Sequence, residues 1–286
     1  MKPTIKQLRD IESRMASFLE SDNSRRHGKE YDRVRRGPQQ RAKARFIRTD
    51  FIQKWAGQLR IDTSKFDFQC NDEEVMYITR PDDALYIHTA IGGALLGERC
   101  TTFIDAFAGV GGDTVAAINQ FRDSKIFAIQ LEMDTDTGRF DRLQNNIKAF
   151  QSILQRGGSV DVIHSDIKNF LSHLAENLPV SVLYLDPPWA LGADHSSYSP
   201  PSVINQFLTR RVWEPLQKNR IYPLLIVLKL PGNPTSPRIE EWPILGENIK
   251  YRQIGYLTPR DKYAVYILRR VDSASMGAAS RVHSEA

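Results

Sequence analysis

From residue 101 onward the chain alternates between two hydrophobic periods. Short apolar runs, TFI at 102–104, IFAIQL at 126–131, VDVI at 160–163 and VSVLYL at 180–185, are rich in β-branched and aromatic residues. Between them lie stretches with apolar residues three and four apart, near 113–121, 136–150 and 167–176. Further apolar runs follow at 223–230 (PLLIVLKL), 250–257 and 263–268 (YAVYIL). A period of two sends successive side chains to opposite faces of a strand, whereas a period of 3.6 gives a helix one apolar stripe. Strands alternating with helices need right-handed crossovers. The pattern therefore predicts a Rossmann-like α/β fold: a mostly parallel seven-stranded sheet with helices on both faces and an antiparallel hairpin of the last two strands at one edge.

The region before residue 101 is less regular. Ile5, Leu8, Ile11, Met15, Phe18 and Leu19 mark one face of a helix that ends near SDNS. The stretch DEEVMYITRPDDALYIHTAIGGALLG predicts a short strand, a turn at Pro81 and a helix to about Gly92. The final VDSASMGAASRVHSEA is small and polar and is expected to be disordered. The expected organisation is a helical, basic N-terminal extension (1–75), an α/β domain (76–270) and a disordered tail (271–286).

Composition narrows the class of protein. With 41% hydrophobic and 26% charged residues in 286, the chain has enough apolar material for a full core. It holds no run of eighteen apolar residues and opens without a secretory leader, so an intracellular protein of the nucleus or cytoplasm is expected, neither secreted nor membrane-bound. Cys70 and Cys100 stand alone without CxxC or Cys/His spacing, so neither a disulfide framework nor a metal site is expected. Charge is unevenly placed. Residues 21–60 hold twelve Lys/Arg against four acids in a chain whose total is only +5, so the remainder is slightly negative. Within the stretch from Arg25 to Arg60, Tyr31, Phe46, Phe51 and Trp55 interleave with the cations. Cations neutralise phosphates and aromatic faces stack on bases, so this segment is expected to contact nucleic acid.

The candidate chemistry sits where strands run into loops. In open α/β sheets, ligands bind outside the carboxyl ends of the strands. After the first strand comes DAFAGVGGDT, with Asp105, Phe107, Gly109, Gly111 and Thr114 as candidate cofactor contacts. Its glycines allow a tight turn and a close ligand approach. Asp105 and Asp113 would repel a pyrophosphate but suit an ammonium, and the loop lacks the Lys-Ser/Thr ending of a P-loop, so S-adenosylmethionine fits better than NAD or ATP. At the second strand end either Gln130 or Glu132 would hold the ribose hydroxyls. After the third, Asp166 either accepts from the adenine amine, with Ile167 packed on the ring, or caps the following helix. The fourth strand ends in DPPW: two prolines stiffen the turn, Asp186 and nearby carbonyls accept N–H bonds from an exocyclic amine, and Trp189 stacks on the base.

Together these motifs resemble class I S-adenosylmethionine-dependent methyltransferases, and in particular trimethylguanosine synthases, the RNA cap guanine-N2 methyltransferases. DAFAGVGGDT is similar to that family's DAFCGVGGNT, and DPPWAL stands where the family has SPPWGG. FAIQLEMDTDTGRFDRLQNNIKAF resembles its second strand and following helix, which ends in ARNNA. DEEVMYITRPDDALYIHTAI resembles EEGWFSVTPEKIAEHIA and puts Thr79 at a cofactor-contacting position. The resemblance covers roughly residues 50–235. It implies capped RNA as substrate, with Trp189 stacking on a 7-methylguanine and KLPGN, from Lys229 to Asn233, lining the cap pocket. Asp186, Pro187 and Trp189 are then the catalytic residues. The sequence departs from the family at Asp186, where it has serine, at Gln130, where it has aspartate, and along WALGADHSSYSPP. The DPPW spelling is also that of adenine-N6 methyltransferases of DNA or RNA. Cap 2′-O methylation and a non-catalytic RNA-binding subunit are weaker alternatives.

Overall fold

Successive side chains along the central strands go to opposite sides of one sheet, as the two-residue period requires. The computed structural model describes residues 68–71, 74, 78–131, 137–154, 157–174, 178–188, 201–231, 249–260 and 263–272. The expected first helix, the basic segment and almost all of the expected tail lie outside them. The strands are β1 (Thr102–Asp105), β2 (Lys125–Gln130), β3 (Val160–His164), β4 (Val182–Leu185), β5 (Leu225–Pro231), β6 (Ile249–Arg260) and β7 (Tyr263–Asp272). The helices are α1 (Pro81–Ala94), α2 (Gly112–Gln120), α3 (Thr137–Leu154), α4 (Ile167–His173), α5 (Pro201–Leu208) and α6 (Glu214–Lys218), with a π-helical turn over Thr209–Trp213 joining the last two.

All seven strands form one sheet in the order β3-β2-β1-β4-β5-β7-β6. The first five pair in parallel, and β7 runs antiparallel between β5 and β6. This is the Rossmann-like, mostly parallel seven-stranded sheet that the sequence pattern predicts. The order reverses between β1 and β4, so a crevice opens above their carboxyl ends, where such sheets bind ligands.

Two apolar layers hold that crevice in place. On one face Phe103, Ile126, Val182, Leu225 and Val265 pack with Ile87 and Ile91 of α1, Val115 and Ile118 of α2, and Leu143 and Ile147 of α3. On the other, Ile104, Ile129, Leu183, Ile226 and Leu228 pack with α4 through Leu171, and with Leu208, Val212 and Leu216 of the last helical segment. Fully burying a side chain of this size contributes roughly 1.5–3 kcal/mol, so the strand ends stand on a stiff frame. Phe68 and Cys70, N-terminal to the boundary expected at residue 76, are buried in the first layer. Val271 and Asp272, expected to begin the tail, belong to β7.

Local chemistry accounts for the departures from expectation. The strand expected before Pro81 is helical at Glu74: Asn71 Oδ1 accepts from Glu74 N, Glu74 Oε2 accepts from Asn71 N, both at 2.8 Å, and Ile78 N donates to Glu74 O. This reciprocal capping box makes Glu74 helical, and residues 75–77 of the expected strand lie outside the described residues. α1 follows with Pro81 in its first turn and Asp82 and Asp83 beside its positive end. The helical segment over 201–218 was not expected. Its π turn precedes Pro215, whose missing N–H and ring leave the Arg211 carbonyl without an α-helical donor, so the backbone widens. Among the described residues no helix is long and apolar enough to cross a membrane.

Candidate active site

The glycine loop leaves β1 at Asp105 and enters α2 at Gly112. Gly111 N donates to Ala108 O at 2.8 Å, closing a tight turn, while Gly109 and Gly111 adopt φ of +55° and +97°. Only glycine takes such angles without strain. A Cβ on Gly111 would stand 3.0 Å from Leu143 Cδ1, so this glycine also lets α3 come close. At Gly109 a Cβ would meet nothing within 4 Å, so the loop backbone there faces open space.

Two carboxylates flank the loop. Asp105 is 1% exposed, and its Oδ2 accepts from Thr114 Oγ1 at 2.6 Å, whereas its Oδ1 is buried without a partner. Burial, and then the charge of Asp113, push its pKa up to about 7 against the pull of Thr114 and the Phe107 backbone. Asp113 is also buried; its Oδ2 accepts from Thr79 Oγ1, and its Oδ1 has no partner. A buried polar atom left unpaired costs roughly 1–3 kcal/mol, so two such oxygens beside one loop favour a donor arriving from outside the chain.

Across the crevice, Asp186 leaves β4 into Pro187 and Pro188. Pro187 is buried, and the Asp186 side chain keeps 19% of its surface exposed. Lys229, on β5, donates from Nζ to Asp186 Oδ2 at 2.6 Å and to Thr79 Oγ1 at 2.5 Å, and lies 3.5 Å from Asp113 Oδ2. It is 1% exposed and sits 4.8 Å from the Tyr263 ring centroid. Burial pulls its pKa down, but Asp113 and Asp186 outweigh that and hold it above the ordinary lysine value, so it is a cation. The sequence reading placed Lys229 in the wall of a substrate pocket. Its ammonium is enclosed by Asp186, Thr79 and Asp113.

The remaining residues divide. Gln130 is buried at the end of β2, and its carbonyl accepts from Ser165 N at 3.0 Å. Asp166 caps α4, with Oδ1 accepting from Lys168 N at 2.8 Å, and pairs through Oδ2 with Arg211, so of its two sequence readings the capping one is realised in the fold. Ile167 is fully buried and packs into the second apolar layer, so its side chain offers no surface to a ring. Phe107 is half-buried with its ring 5.9 Å from that of Phe207. Glu132, Trp189 and Asn233 lie outside the described residues.

Asn146 was missed by the sequence reading. Wholly buried on α3, it accepts from Gln69 N at 2.6 Å and donates to the carbonyls of Gln69 and Val110, both at 2.8 Å. It ties the glycine loop to the chain entering the domain. The available signal was a polar residue within the Leu143, Ile147, Phe150 stripe, where an amide is tolerated only if its bonds are made.

The chain matches no protein-family model. Among solved structures it is similar to NSun6 from Pyrococcus horikoshii with SFG, at 16% identity and TM-score 0.42, over 66% of this chain and 51% of that one. It thus spans about half the length of that protein. It is similar to the rRNA methyltransferase aviRa from Streptomyces viridochromogenes at 12% identity and TM-score 0.40, over 65% and 84% of the two chains. A putative O-methyltransferase from Klebsiella pneumoniae matches at 9% identity and TM-score 0.42, over 93% and 99%.

Proposed function

We propose that this chain is an S-adenosylmethionine-dependent methyltransferase acting on the exocyclic N2 of a 7-methylguanosine RNA cap. The observation that carries the reading is the arrangement at the sheet's reversal: a positive-φ glycine turn flanked by two buried carboxylates with unpaired oxygens, facing an aspartate at the end of β4. Among the described residues, Asp113 and Asp186 share one cation, Lys229, and Asp105 adds a third carboxylate beside them. That balance suits a cationic ligand and repels a phosphate. Asp105 and Asp113 would receive an ammonium, Gly109 and Gly111 would let the ligand lie against backbone, and Gln130 or Glu132 would take ribose hydroxyls. Thr79 and Thr114 hold the two aspartates in place. Asp166 would offer its remaining acceptor capacity to an adenine amine.

The cofactor, when bound, supplies an electrophilic methyl group. The protein's task is then orientation, since proximity and alignment of reactants supply much of the barrier reduction in such transfers. Asp186 accepts an N–H from the acceptor amine and aims its nitrogen, and Pro187 and Pro188 keep that carboxylate from swinging. Trp189 stacks on the purine, and a positively charged 7-methylguanine gains a cation–π contribution that plain guanine lacks. The basic segment of residues 25–60 grips the cap phosphates and following nucleotides. The guanine assignment rests on the resemblance of the glycine loop; Asp186 in place of serine favours adenine N6 as the second reading.

The test is equilibrium binding of a 7-methylated cap dinucleotide and its unmethylated counterpart to the full chain, followed by tryptophan fluorescence. Preference for the methylated cap by roughly 2- to 30-fold is expected from about 0.5–2 kcal/mol of cation–π energy, and Trp189→Ala should erase it. Equal affinity for the two caps in the unmodified chain would remove the guanine assignment.

A further inference from the structure

We propose that Lys229 is a positioning residue that fixes Asp186 as an ionised N–H acceptor and thereby makes the site selective for amines over hydroxyls. The inference rests on the methyl-transfer reading above and extends it to a residue that touches no substrate. Lys229 reaches acceptors on three neighbouring parts of the fold: Asp186 after β4, Thr79 before α1, and Asp113 on α2. An ammonium has three protons. With these acceptors and 1% exposure, it can neither bind a phosphate nor take a proton from an incoming hydroxyl.

The direction of the hydrogen bonds follows from chemistry. Lysine donates only, so Thr79 Oγ1 accepts from it and spends its own proton on Asp113 Oδ2. Lys229, Thr79 and Asp113 thus form a buried chain that anchors one oxygen of Asp186 while its side chain stays partly exposed. An anchored carboxylate accepts from an amine N–H. A lysine-paired carboxylate is a weak base, and methylation of a hydroxyl needs a base, so such acceptors are disfavoured. Asp186 stands where the resembling family has serine. Lys229 supplies the charge that an acid there requires, since breaking a buried pair by removing one partner leaves an uncompensated charge.

Among the described residues, the charged and titratable groups facing this pair from the surrounding elements are Asp105 of β1, Asp113 of α2, His88 of α1, Tyr184 of β4 and Tyr263 of β7. Burial lowers the His88 pKa, and its Nδ1 lies 2.8 Å from Ala84 O, so it is a neutral ring that donates there. Burial raises that of Tyr184, which stays a neutral phenol. Asp105 titrates near neutrality, so the rate profile must be measured at saturating cofactor, where its partner is bound.

The experiment compares the full chain with Lys229→Met and with Lys229→Met/Asp186→Asn. Three quantities are read: cofactor affinity by calorimetry, the pH profile of kcat/KM for the capped acceptor at saturating cofactor, and the melting temperature. In Lys229→Met the acid limb should move up by about one pH unit or more, costing roughly tenfold or more at the acid end and recovering as pH rises. The double variant, in which Asp186 no longer carries a charge beside the missing ammonium, should melt above Lys229→Met and lose that limb. An unmoved acid limb in Lys229→Met overturns the proposal. Where that variant does not fold, Lys229→Gln takes its place: an unmoved acid limb there overturns the proposal, and one moved up in pH supports it. An unmodified chain that binds no cofactor would instead defeat the methyl-transfer reading itself.

Discussion

On the proposed reading, Asp105 should make cofactor binding depend on pH in a direction opposite to its effect on stability. Its carboxyl is fully buried and its pKa moves from an ordinary 3.8 to about 7, first through burial and then through Asp113. That shift corresponds to about 4 kcal/mol in favour of the protonated form. Because the folded pKa lies above the unfolded one, this contribution to stability is complete below pH 3.8, declines as pH rises and is gone above about 7. A ligand ammonium needs the ionised form. Between pH 5.5 and 7.5 the affinity for S-adenosylmethionine should therefore rise with pH, by about tenfold per unit below the midpoint and flattening above it. Asp105→Asn removes the titrating group. Calorimetric titration of this variant should give a weaker and flat profile, and without cofactor it should melt no lower than the unmodified chain at pH 8. A flat profile in the unmodified chain would refute the role of Asp105 as the ammonium's partner.

Further consequences concern the frame around the loop. Asn146→Ala deletes three hydrogen bonds of a buried amide and should cost roughly 2–4 kcal/mol, read as a lower denaturation midpoint, with cofactor affinity falling because Val110 is released. Gly111→Ala forces a side chain into φ of +97° and 3.0 Å from Leu143, so a stability loss of roughly 1–3 kcal/mol is expected in thermal melts, together with weakened cofactor binding. Thr114→Val keeps the shape but removes the donor to Asp105 Oδ2, so the midpoint of the cofactor-affinity profile should move to higher pH.

The strands were legible because each is a short apolar run with a polar break, and the sheet's two faces then follow from alternation alone: Phe103 falls in one layer and Ile104 in the other. The glycine loop and DPPW were legible for a different reason. Their geometry is local, fixed by positive-φ glycines in one case and proline rings in the other. The helical conformation of Glu74 was not read from the sequence, although Asn71 and Glu74 stand at capping-box spacing. The helical segment after Pro201 was obscured by the turn-forming residues before it. Least legible were the long-range contacts. Lys229 lies 43 residues from Asp186 and 150 from Thr79, and no local pattern announces that a strand lysine will be enclosed by both.

The most direct measurement is transfer of labelled methyl from S-adenosylmethionine to three matched acceptors: a 7-methylated cap dinucleotide, its unmethylated counterpart and an adenine-containing oligonucleotide. Label on the 7-methylated cap alone, mapped to N2, is the predicted result. Label on the adenine oligonucleotide would contradict the guanine assignment and identify Asp186 as the better guide to the substrate, and transfer to none of the three would contradict the account as a whole.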